Sequence, residues 1–136
     1  MDYNVCGRII REKRKLLIYG TCVRDEYPNI FEELSINRVP LAVCLEKTHM
    51  NMVALKIASL IARIKLDEIV VLTVDGSPHC VQLHFCLEEV AKIMDQKMPS
   101  LKHYVIEKSR AIEISRKAVK TARYLVKVQR LLDVDD

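Results

Sequence analysis

The chain has 136 residues, half of them hydrophobic and 29% charged, with a formal net charge of +4. That is enough apolar material to bury the core of one domain, which excludes a disordered chain, and too short a chain for two. Its three glycines, Gly7, Gly20 and Gly76, are scattered. A dinucleotide-binding turn and a Walker-type phosphate loop both need clustered glycines, so the chain has no nucleotide motif.

Residues 1–14 carry Arg8, Arg11, Lys13 and Arg14 and read as a basic N-terminal arm or an extra strand. No apolar stretch precedes these charges, as a secretory signal would require. The five cysteines, Cys6, Cys22, Cys44, Cys80 and Cys86, are odd in number and irregularly spaced, unlike a disulfide framework. Reduced thiols in a cytoplasmic protein are the expectation. The longest apolar stretch, 50–64, includes Lys56 and Arg63 and is too short to cross a bilayer, so no membrane association is expected.

Four apolar, β-branched runs follow one another at 15–20, 39–46, 68–75 and 101–107. Each begins about 30 residues after the last, the length of a βα unit, and such units build a parallel sheet covered on both faces. The runs Leu16-Leu17-Ile18-Tyr19 and Ile69 to Val74 are almost continuously apolar, as strands buried on both sides must be. Between them, Pro28–Leu34 predicts a short helix with proline in its first turn, and 50–65 predicts a longer one. The longer helix carries more apolar surface than one face needs, Met52 and Leu55 included, which suits internal packing or a homo-oligomer interface. Ser77 and Pro78 form a helix start, and Met98-Pro99-Ser100 ends that helix before the fourth run. Beyond it, Ala111–Ile114 alternates like a strand and pairs with 103–107 as a hairpin, leaving Ser115 to cap a final helix to Leu132. The competing pattern is one long helix capped by Ser109.

The predicted fold is therefore a single three-layer α/β domain over 1–136. Its sheet is mainly parallel, of about four strands with the hairpin adding an antiparallel fifth, and helices lie on both faces. In such sheets ligands gather outside the carboxyl ends of the strands, where the βα loops emerge. The first loop carries Thr21 and Cys22, the second Cys44, Lys47, Thr48 and His49, and the third Asp75, Gly76, Ser77, His79 and Cys80. Cys80 falls in the first turn of its helix, where unpaired backbone N–H groups and the helix dipole favour a thiolate. This makes Cys80 the candidate catalytic thiol, with His79 as its imidazole partner and Asp75 as an orienting carboxylate. His84 follows four residues later at a spacing two ligands can share. A helix start also suits an anion, which marks Gly76, Ser77, Thr48, Thr21 and Lys47 as candidate phosphate or carboxylate contacts. Cys86 and Cys44 fit core positions, and His103 reads as a structural or exposed strand residue.

Two chemistries fit the sulfur and imidazole groups. One is a metal or iron–sulfur cluster held by Cys22, Cys80, His49 and His79 with Cys6 from the arm, although no Cys-x-x-Cys pair is present. The other is metal-free thiol chemistry with Cys80 as nucleophile or redox group. The architecture resembles flavodoxin-like and Rossmann-like folds. The loop Gly20-Thr21-Cys22-Val23-Arg24 departs from the Ser/Thr-rich, glycine-bearing phosphate loop of flavodoxins, so the resemblance implies a fold and no flavin contacts.

The final helix supplies a further reading. Arg116, Lys120, Arg123, Lys127 and Arg130 step by four and three, so they line one helical stripe, and the opposite face, Ala118, Val119, Ala122, Leu125 or Val126, Gln129 and Leu132, is expected to pack on the sheet. That stripe suits an acidic protein partner or a phosphate-containing ligand, making the chain a binding or assembly module in the alternative reading. Tyr124 is the one aromatic among these charges, so stacking on nucleic-acid bases is not expected.

Overall fold

The computed structural model describes residues 8–45 and 47–134. Helix α1 (Arg8–Lys13) leads into strand β1 (Lys15–Gly20), followed by helices α2 (Thr21–Glu26) and α3 (Pro28–Ser35) and strand β2 (Val39–Val43). Helix α4 (Met50–Arg63), strand β3 (Glu68–Val74) and helix α5 (Pro78–Met94) come next. A 3-10 turn at Asp95–Lys97 precedes strands β4 (Ser100–Glu107) and β5 (Arg110–Ile114), and helices α6 (Arg116–Thr121) and α7 (Leu125–Val134) complete the order. The five strands form one sheet in the order β2-β1-β3-β4-β5, parallel except for the antiparallel β4–β5 pair.

Alternation along the strands divides the core between the two faces of the sheet. Leu16, Ile18, Ile69 and Val71 face one way, onto Ile10 of α1, Val53, Ile57 and Leu60 of α4 and Leu83, Leu87 and Val90 of α5. Leu17, Tyr19, Val70 and Leu72 face the other way, onto Val23 of α2 and Phe31 and Leu34 of α3. Tyr19 and Phe31 meet with ring centroids 4.7 Å apart, a tilted contact that fixes α3 against β1. The β1 and β3 interiors are buried at successive positions, which explains their unbroken apolar sequence. β2 alternates between buried and exposed, and its Pro40 is tolerated because β2 is an edge strand.

Three expectations change. Residues 8–13 are a short helix anchored by the fully buried Ile10, not an extra strand; Arg14 adopts a left-handed φ of 59° as the chain turns into β1. The loop after β1 is itself helical, so two short helices cover the first crossover. The single helix expected from 115 to 132 is two. Ser115 caps α6 as anticipated, its Oγ accepting from the Ala118 N–H at 3.1 Å. Three-residue bonds from Arg123 N to Lys120 O and from Tyr124 N to Thr121 O then tighten and end that helix. Of the apolar face predicted to lie on the sheet, Val119 is buried, whereas Leu125 and Val126 remain 79% and 64% exposed.

The hairpin forms as expected, with a two-residue turn closed by the Glu107–Arg110 pair. Both turn residues, Lys108 and Ser109, have positive φ, 50° and 62°. That is the pattern of a type I′ turn, which Asn-Gly satisfies with less strain. Replacing the pair by Lys108→Asn with Ser109→Gly is expected to raise stability by about 1 kcal/mol, because it relieves two left-handed backbones that cost about 1–2 kcal/mol each at other residues. Urea unfolding of the two proteins measures this directly.

Candidate functional site

The strand order positions the site. From β1 the chain crosses to β2 on one side and returns to β3 on the other, so the loops leaving β1 and β3 diverge and leave a crevice at their carboxyl ends. A cavity of about 160 Å³ occupies that place, lined among others by Thr21, Cys22, Cys44, Ser77, His79 and Cys80. Three separate βα connections thus deliver three cysteines to one rim. β1 ends so near α5 that a methyl group at Gly20 would lie 3.6 Å from Cys80 Sγ. Gly76 has a φ of 97°, a left-handed conformation that suits glycine and lets β3 turn sharply into α5.

Cys22 and Cys80 line the same cavity, close enough for each thiol to feel the other's charge. Burial first, then the negative charge that Cys80 and Glu26 can carry, push the Cys22 thiol above its ordinary range. Cys22 is therefore protonated at neutral pH. Cys80 is the third residue of α5, a seventeen-residue helix with Ser77 at the N-cap position and Pro78 in the first turn. The Ser77 side chain makes no capping hydrogen bond. Cys86 lies wholly in the core, where burial and then Glu89 push its thiol up to about 11.

Several candidates lie elsewhere. His49 is the N-cap of α4, its exposed ring accepting at Nδ1 from the Asn51 N–H at 3.1 Å. The N–H groups of Lys47 and Thr48 turn back onto the Cys44 carbonyl at 3.1 and 2.9 Å, and neither residue lines the cavity. Asp75 and His84 line a different cavity, beside β4, β5 and α6, so neither meets Cys80 there. Of the proposed metal set only Cys22, His79 and Cys80 reach the sulfur-lined cavity, and Cys6 lies outside the described residues. Among the described residues no three His, Cys, Asp or Glu side chains are assembled as metal ligands. None of the described helices is long and apolar enough to cross a membrane.

A second group of polar residues comes together where no local sequence pattern announces it. Under α5, Thr73 Oγ1 and His84 Nε2 are 2.7 Å apart, His84 Nδ1 and His103 Nδ1 2.7 Å, and His103 Nε2 and Glu88 Oε2 2.8 Å. Arg116 closes the chain with two bonds to Glu88, Nε to Oε2 at 3.0 Å and Nη2 to Oε1 at 3.1 Å. Thr73, His84, Glu88 and His103 are at most 4% exposed. Burial alone would push the Glu88 carboxyl up, but hydrogen bonds from Arg116 and then His103 overcome it and hold the group below its ordinary range. A carboxylate only accepts, so His103 Nε2 donates to it, and a neutral His103 then accepts at Nδ1 from His84 Nδ1–H. His84 Nε2 in turn accepts from the Thr73 hydroxyl. Burial, then the neighbouring His103, lowers His84 to about 3. Burial also outweighs the pull of Glu88 on His103, which falls below its usual value. The available signal was the inward register of His103 between Leu101 and Val105, together with His84 and Glu88 one helical turn apart.

The basic stripe meets the same carboxylates. Arg116 and Lys120 reach Glu88, the latter at 3.9 Å, and Arg123 pairs with Glu89 and lies over the Phe85 ring. Three of the five cations expected to face a partner thus engage α5. Lys127 lies 4.8 Å from the Tyr124 ring.

A family model described as a Rossmann-like domain matches residues 9–134. Comparison with curated proteins gives no match. The match spans nearly the whole chain and agrees with its parallel, doubly covered sheet, and the chain therefore belongs to the Rossmann-like domain family.

Proposed function

We propose that the chain is a thiol–disulfide exchange module working through Cys22 and Cys80. The observation that carries this reading is the delivery of both thiols to one cavity at the point where the strand order reverses. The cavity supports it in size: about 160 Å³ is smaller than the roughly 300–1,000 Å³ of typical organic-ligand pockets. Exchange needs only two sulfurs in contact and an opening for the partner's disulfide. Metal ligation needs three or four ligands around one point, and no such group is assembled among the described residues.

The roles follow from the surroundings of each sulfur. Cys80, in the first turn of α5, attacks one sulfur of a small or protein disulfide and releases the other as a thiolate. Cys22, held protonated, passes its proton to that leaving thiolate and attacks Cys80. The product is a Cys22–Cys80 disulfide and the second thiol of the partner. Two protein thiols and one disulfide become one protein disulfide and two thiols, and the reverse sequence reduces the protein. His79 and Cys44 line the same cavity as the pair.

Incubation with glutathione disulfide is expected to remove two hydrogens and link Cys22 to Cys80, as peptide mapping by mass spectrometry reads out. Cys22→Ser should instead stop at a mixed disulfide on Cys80. Failure to link Cys22 and Cys80 while other cysteines become glutathionylated overturns the reading. Separately, Cys80→Ser takes away the negative charge that raises the Cys22 thiol, so the pH midpoint for alkylating Cys22 should move down. An unchanged or higher midpoint contradicts the proposed coupling.

A further inference from the structure

The buried chain of hydrogen bonds under α5 joins β3 and β4 to α6, and its two ends differ in what they can do. His103 is wholly buried, whereas the Arg116 side chain is 44% exposed and only its tip enters the core. We propose that this chain is an acid-sensitive latch: with His84 and His103 neutral it holds α6 on α5, and protonation of the histidine pair expels Arg116 and frees α6.

The argument is one of counting protons and charges. The two Nδ1 atoms are 2.7 Å apart and share a single proton; a second proton would set two N–H donors against each other. A proton on the pair also places a new cation beside Glu88, the carboxylate that already balances Arg116. A wholly buried cation and one at the rim then compete for one buried carboxylate in surroundings that screen poorly. His103 has no path to water, so Arg116 is the one that leaves. The charged groups acting there are Glu88 and Glu89 from α5, Arg116 and Lys120 from α6, and Arg123 from the turn after it. β3 contributes the Thr73 hydroxyl and, at the rim of the cavity beside His84, Asp75. β5 contributes Ile114, opposite His103, and α4 packs on the side of α5 where Cys86 meets the Met50 carbonyl. Freeing α6 unroofs the cavity of about 180 Å³ walled by His84, Phe85, Val119 and Ala122.

The direction with pH follows. Burial holds both histidines below their ordinary value of about 6.5, whereas in the released state they regain it. The closed form is thus fully favoured above about pH 6.5 and loses ground as pH falls, by up to about tenfold per pH unit for each histidine. For His84 the loss stops growing near pH 3, where the closed form itself titrates. Glu88, held below its ordinary range, adds to the loss in the same direction at lower pH.

Hydrogen exchange resolved by residue, corrected for intrinsic rates, tests the latch at pH 7.5 and pH 5.0. The amides of Val119 and Ala122, bonded to Ser115 and Ala118 carbonyls, should lose about tenfold or more protection beyond any loss in β1 and β3. Arg116→Gln, altered at the exposed end, should show the released pattern already at pH 7.5. His103→Gln, which can donate to Glu88 and accept from His84 without titrating, should keep more α6 protection at pH 5.0 than the unaltered chain. Equal loss across α6, β1 and β3 overturns the latch, as does unaltered α6 protection in Arg116→Gln at pH 7.5. If His103→Gln does not fold, the Arg116→Gln comparison decides alone.

Discussion

The demand that governs this molecule is the double covering of β1 and β3. Parallel pairing between them, from Lys15 opposite Glu68 to Tyr19 opposite Leu72, fills the middle of the sheet with side chains that need shelter on both faces. Helices must therefore alternate sides, and a chain that puts β2 on one flank of β1 and β3 on the other has to diverge above their carboxyl ends. The crevice there is a by-product of satisfying the core. Cys22 and Cys80 meet because the shortest exits from β1 and β3 begin next to each other, and nothing in their spacing along the chain requires it.

The same demand explains what was legible beforehand. Continuous apolar runs announced the central strands, Ser77 and Pro78 announced α5, and the alternation of 111–114 announced β5. The meeting of Cys22, His79 and Cys80 followed from the architecture together with loop position. His49 did not, because a histidine ahead of a helix serves equally well as a backbone cap, and the ring bonds Asn51. Cys44 fits a core position by its strand neighbours, yet the last residues of a strand open onto the loops, and it lines the cavity.

The buried polar chain was harder to read for a physical reason. Its members come from β3, α5, β4 and α6, and each looks ordinary in its own segment. A histidine among apolar strand residues or a glutamate within a helix stripe becomes informative only when partners from other elements stand beside it. The basic stripe is incomplete as a description for the complementary reason: cations at helical spacing describe a face, and on that face Arg116 and Arg123 pair with Glu88 and Glu89 of α5 while staying partly exposed. Charge periodicity locates a surface without saying whether water or carboxylate lies opposite.

The outermost strands have a separate implication for how the sheet ends. Along one margin Pro40 lacks the N–H that an incoming strand would require, and along the other a five-residue strand presents Arg110 and Glu113. Each margin thus refuses a continuing ladder by different chemistry, one by a missing donor and one by charge and brevity. A molecule built around two fully sheltered strands thereby avoids offering its backbone as a template for stacking into fibres.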